Sequence, residues 1–88
     1  MGYPGHGAKV AGMDYSPRSE RFRDLLRQAR IDAGLTQVEL ADRLGKLQSY
    51  VSKAELGERR LDFLETLDFC VACGKDVAEL AGDLRGRG

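Results

Sequence analysis

The chain has 88 residues, 42% of them hydrophobic and 32% charged, which suits one small soluble domain with one modest core. Its 14 Lys and Arg balance 14 Asp and Glu, which argues against a strongly basic, indiscriminate nucleic-acid binder. No apolar run approaches the roughly 20 residues of a membrane span and the N-terminus lacks a signal-type apolar core, so a cytoplasmic protein is expected.

In chain order, "MGYPGHGAKVAG" crowds four glycines into residues 1–12 without periodicity. Residues 1–15 read as a disordered arm, with Met13 as an alternative start. Ser16 before Pro17 is a helix cap with Pro in the first helical position. Phe22, Leu25, Leu26, Ala29 and Ala33 then recur at helical spacing, and Gly34 closes the helix. "TQVE" (36–39) is a capping box that opens a helix burying Leu40, Ala41 and Leu44, with Gly45 after it. A third helix is expected over 47–56, with Val51 and Ala54 inward and Gly57 at its end. "DFLE" (62–65) is another box, and it opens a helix with Leu64, Leu67 and Val71 on one face, ended by Gly74. "DVAE" (76–79) is a third box, followed by the stripe Val77, Leu80, Ala81, Leu84. No strand pattern occurs. The fold class read from this is all-α, a compact bundle of about five short helices over residues 16–84, with 85–88 fraying.

Charge is unevenly placed. Residues 1–60 hold 11 Lys and Arg against 8 Asp and Glu, whereas 61–88 hold 3 against 6. A neutral total can therefore hide a basic face opposite an acidic one. The two cysteines, Cys70 and Cys73, form a CxxC at a helix end. Zinc normally takes four ligands, and the only histidine, His6, is remote. The pair reads as a buried structural thiol pair, and no metal or other cofactor is expected.

Two short helices joined by a tight turn are the helix-turn-helix unit. Gly45 supplies the positive φ the reversal needs. Ala41 is small because the next helix crosses it, and Leu44 and Val51 lock the two together. Gln48, Ser49, Ser52 and Lys53 then lie on the outer face of the second helix, near the end that meets base edges in a major groove. Gln pairs bidentately with adenine, Ser with several bases, and Lys with guanine or a phosphate.

Residues 18–74 resemble the lambda-repressor-like family of bacterial and phage regulators, the Cro/repressor type of helix-turn-helix. "LRQARIDAGLTQVELADRLG", "QSYVSKAELGERRLD" and a closing helix carry the resemblance, which covers about two-thirds of the chain. It implies that Gln37, Tyr50, Arg59 and Arg60 contact the DNA backbone, and that Gln48, Ser49 and Lys53 face bases; Lys46 is assigned to the backbone set as well. It also implies an ion pair between Arg30 and Glu55 that sets the angle of the reading helix. The chain departs from the family pattern at Lys46, usually apolar, at Leu47, usually Ser or Thr, and at Leu56, often Asn. Leu47 suits a thymine methyl instead.

The function expected is a sequence-specific DNA-binding transcriptional regulator, a repressor, acting on double-stranded DNA as a homodimer through the C-terminal helices and without a small-molecule ligand; the stripe of the last helix equally suits closing the monomer's own core. The alternatives are an antitoxin-type protein-interaction module and a redox or metal sensor built on Cys70 and Cys73. No nucleophile–base pair, phosphate loop or carboxylate pair suggests an enzyme.

Overall fold

The computed structural model describes residues 16–86; the arm expected at 1–15 and residues 87 and 88 lie outside the described residues. Five helices follow one another: α1 (Pro17–Asp32), α2 (Gln37–Leu44), α3 (Gln48–Leu56), α4 (Phe63–Cys73) and α5 (Val77–Arg85). The Ser16 hydroxyl accepts the Ser19 amide at 3.1 Å to start α1. Thr36 and Asp62 each form the reciprocal box with Glu39 and Glu65 at the starts of α2 and α4. Gly45 ends α2 at φ 68°, and a Cβ there would meet nothing within 4 Å. Its backbone angle, and not crowding, is what calls for glycine at the reversal.

Helix α1 is the spine, packed against α3, α4 and α5, while α2 packs on α3 and α4. Leu26 and Ala29 of α1 meet Leu40, Ala41, Val51, Phe69, Cys70, Cys73 and Leu80 in one core. Phe69, fully buried, is its largest member. Arg21 clips α1 to α5, donating from Nε and Nη2 to the Asp83 carbonyl in the last turn of α5 at 3.0 and 2.8 Å.

Three expectations are corrected. The core face of α4 is Thr66, Phe69, Cys70 and Cys73; Leu64 and Val71 point outward, 69% and 70% exposed, and Leu67 is half-buried. One large ring and two small thiols fit against α1 and α2 where the branched stripe was expected. The third capping box does not close, because the Asp76 carboxylate takes the Ala78 amide instead of that of Glu79. Ala33 is an exposed cap residue and not a core residue. In α5 half of the stripe joins the monomer's own core: Leu80 is 3% exposed and Val77 packs beside it, whereas Leu84 is half-buried and Ala81 is exposed.

Candidate nucleic-acid interface

Helix α3 turns Val51 and Ala54 inward, both buried, and presents Gln48, Ser49 and Lys53 outward, with Ser52 half-buried. Leu47 and Leu56, 78% and 60% exposed, bracket this polar run. Leu47 caps the helix in extended backbone without any side-chain hydrogen bond. The amides of the first turn, which carry the positive end of the helix dipole, therefore have no side-chain acceptor.

Behind this face lies a chain of hydrogen bonds. Arg30 donates from Nε and Nη2 to the two carboxylate oxygens of Glu55 at 2.7 and 3.0 Å, and from Nη1 to the Leu35 carbonyl at 3.0 Å. Only 13% of the Arg30 side chain and 4% of Glu55 is exposed, so the pair is buried and bidentate. The hydrogen bond to Glu55 pushes the Arg30 guanidinium above its ordinary range, against the opposing effect of burial. Glu55 Oε1 also accepts from Gln37 Nε2 at 3.1 Å, and Gln37 Oε1 accepts from Gln48 Nε2 at 2.8 Å. A carboxylate can only accept, so it fixes which way the Gln37 amide faces; Gln37 in turn fixes Gln48. Gln48 is left with one N–H and its carbonyl oxygen facing outward, a donor and an acceptor side by side.

This link through Gln37 was not legible from the residue string. Spacing puts Gln37 at a helix start, but only the crossing of α2 and α3 brings it between Glu55 and Gln48.

On the flank, the Tyr50 ring is held between Lys46 Nζ at 5.2 Å and the Arg59 guanidinium at 4.9 Å from its centroid. Burial pushes the Tyr50 hydroxyl above its ordinary range, with the nearby Glu65 adding to the effect. Arg59 also pairs with Glu65 across the loop. Arg60 is exposed in the same loop. Arg23 of α1, absent from the expected set, crosses directly over Gly57, where an added Cβ would meet its Cζ at 2.7 Å. Arg23, Arg59 and Arg60 share a cleft of about 250 Å³ with Ser19, Phe22 and Leu61. Three cations thus converge beside the C-terminal end of α3.

The cysteines lie apart from this surface. Both are buried, unbonded thiols. Burial pushes both up, Cys73 to about 11 with Cys70 contributing, so at neutral pH they are protonated and pack as small apolar groups. Among the described residues no group of three or more His, Cys, Asp or Glu is placed to hold a metal ion, and no helix is long and apolar enough to cross a membrane.

Residues 21–82 match a family described as a helix-turn-helix domain. The fold is similar to that of an XRE-family-like protein from Pseudomonas syringae pv. tomato str. DC3000, at 51% identity over 77% of this chain and 83% of that one, with a TM-score of 0.74. It is also similar to two structures of the clp gene regulator ClgR from Corynebacterium glutamicum, each 28% identical. These cover 81% and 82% of this chain and 91% and 81% of theirs, with TM-scores of 0.71 and 0.68. No curated protein sequence matches the chain.

Proposed function

The chain belongs to the lambda-repressor-like, XRE-type family of helix-turn-helix DNA-binding transcriptional regulators, and from that premise we propose that it reads the major groove with α3 and represses by occupying its operator as a homodimer. The observation that carries this reading is the hydrogen-bond chain Arg30–Glu55–Gln37–Gln48. It leaves Gln48 with a fixed donor and acceptor, the pattern that complements N7 and N6 of adenine. Ser49, Ser52 and Lys53 extend the contact along the helix, and Leu47 meets a thymine methyl.

Lys46, Tyr50, Arg59 and Arg60 supply the phosphate contacts, the first three grouped by the ring and cation stacking around Tyr50. Gln37 reaches the backbone beside them while it orients Gln48. The uncapped first turn of α3 favours a nearby phosphate further. One module of this size reads few base pairs, so affinity and specificity come from two copies on a palindromic site. Such a protein works in the cytoplasm, where its DNA is.

Selection of binding sites from random duplex DNA tests the reading and yields the half-site spacing. On the selected site, Gln48→Ala loses preference at one position and about 1–3 kcal/mol of binding. Arg60→Ala weakens all sequences alike and lowers the salt slope by about one unit. A Gln48→Ala variant with wild-type affinity and preference would refute the assignment of base readout.

A further inference from the structure

The cleft beside the C-terminal end of α3 is lined by three guanidiniums, those of Arg23, Arg59 and Arg60, and no Asp or Glu is among the described residues that line it. Phe22 and Leu61 give it apolar surface. Arg23 is half-buried and anchored within α1, where its Nη1 donates to the Ser19 hydroxyl at 3.1 Å. Its guanidinium lies on the bare backbone of Gly57, where an added Cβ would come within 2.7 Å of both Nε and Cζ. Glycine at 57 thus serves twice. It takes the left-handed φ of 85° that ends α3, and it leaves Arg23 room to reach the cleft. Gly57 follows Lys53 by four residues and Tyr50 by seven, so it falls on the flank of α3 that Tyr50 and Arg59 occupy. Lys46, Tyr50, Arg59 and Arg23 therefore make one row along that flank, and its last member comes from another helix.

We propose that this cleft seats a phosphate of the DNA backbone, with Arg23 as a contact contributed by α1. Like charges converging in one cleft repel one another, and an anion between them relieves that repulsion. Arg59 is engaged with Tyr50 and Glu65, so it supplies field, while Arg23 and Arg60 supply the N–H donors. A guanidinium fork matches two phosphate oxygens at once, which a lysine cannot do. The phosphate is that of a duplex because of where the cleft lies. When a helix enters a major groove, its flank faces the strand that borders the groove. That strand runs from Lys46 at the start of α3 to the cleft at its end. The α1 helix, which anchors α3 from within through Arg30, then grips the DNA through Arg23, and the reading helix is braced between the two. The inference rests on the DNA-binding reading and adds α1 to the surface that touches DNA.

Neutralising one phosphate at a time as a methylphosphonate along the selected half-site, with the full chain, tests it. Wild type is expected to lose about tenfold in affinity at each contacted phosphate. Arg23→Gln removes the charge and keeps the stem over Gly57. It should bind about tenfold more weakly, lower the salt slope by about one unit for each half-site, keep its base preference, and become insensitive to neutralisation at one phosphate only. Arg60→Ala should blunt the same position, and Lys46→Ala a different one. Arg23→Lys keeps the charge and should keep the salt slope. An Arg23→Gln variant that weakens binding while every phosphate stays sensitive shows that Arg23 only supports the loop, and overturns the proposal. So does inorganic phosphate that raises the melting temperature of DNA-free wild type but not of Arg23→Gln, since the cleft would then serve a soluble anion. If Arg23→Gln matches wild type in slope and phosphate profile while Gln48→Ala still loses its base preference, this inference alone falls. A wild type that selects no site from random duplex DNA sinks the DNA-binding reading and the inference with it.

Discussion

The α2–α3 pair and the α4–α5 pair begin from the same local instructions. Each opens on a closed capping box, turns on a left-handed glycine, Gly45 at φ 68° or Gly74 at φ 69°, and continues into a helix of nine residues. They differ in how that second helix starts and in what stands behind it. The start of α5 is covered by the Asp76 carboxylate, which would repel a phosphate. The start of α3 is open and flanked by Lys46. Behind α3 stands a buried ion pair to α1; around α5 the ions are surface ones. The turn alone does not make a reading helix. An open first turn, short hydrogen-bonding side chains and a stiff anchor do.

The largest expected effect tests that anchor. Glu55→Ala strands the Arg30 guanidinium in a site only 13% exposed, and is expected to lower stability by roughly 3–5 kcal/mol, read from the urea midpoint. In the other pair, Lys75 meets Asp83 at 3.5 Å and Glu79 at 3.7 Å near the surface, and Lys75→Ala should lose under about 1 kcal/mol. Similar small losses at both would erase the contrast.

The second effect arises at Cys73 in the α4–α5 half, and the raised Tyr50 of α3 adds to it in the same direction. The Cys73 thiol, raised by burial from 9.0 to about 11, keeps its proton in the folded state while the unfolded chain has already lost it. Between those pH values the unfolded state binds fewer protons, so stability falls as pH rises. It is full below about pH 9 and lost on passing through 11, by on the order of 2 kcal/mol. Cys73→Ala should flatten this alkaline slope in pH-dependent melts. A slope unchanged in that variant would assign it to other groups.

Much of this architecture is legible along the chain. Caps and glycines mark most helix ends within a residue or so because their effects are local: a side-chain oxygen three residues from an amide, a positive φ; the start of α3, where Leu47 offers no acceptor, is the exception. The outward run of Gln48, Ser49 and Lys53 follows from the period of one helix. What the string does not reveal depends on how helices cross. Leu64 and Val71 look like core by spacing, yet α1 and α2 approach α4 on the side of Phe69 and the cysteines. Gln37 bridges Glu55 and Gln48 only because α2 crosses α3 at that point. Arg23 lies over Gly57 for the same reason.

The two turns themselves should prove equivalent. At Gly45 and Gly74 an added Cβ would meet nothing within 4 Å, so each Gly→Ala substitution carries only the left-handed backbone penalty, about 1–2 kcal/mol. Gly57→Ala should lose more, because the new methyl also displaces Arg23. Thermal melts of the three variants give the order. A Gly57→Ala variant as stable as the other two would mean that Arg23 moves aside without loss.

The smallest effect separates the helix starts most finely. In α2, Thr36 Oγ1 accepts the Glu39 amide at 3.0 Å and the Glu39 carboxylate accepts the Thr36 amide at 2.9 Å. Glu39→Ala breaks one half of that exchange and should lower stability by roughly 0.5–1 kcal/mol. "DVAE" has the same residue pattern but a different backbone. Asp76 sits at ψ 122°, well short of the ψ 169° of Thr36, and its carboxylate reaches the Ala78 amide. The Glu79 amide instead bonds back to the Asp76 carbonyl at 3.0 Å, and its carboxylate, 64% exposed, turns toward Lys75. With no amide in its grip, Glu79 contributes only a solvated i, i+4 pair, and Glu79→Ala should shift stability by under about 0.5 kcal/mol. A loss at Glu79 as large as that at Glu39 in parallel denaturant titrations would mean that the third box closes in solution, and that the starts of α2 and α5 are alike after all.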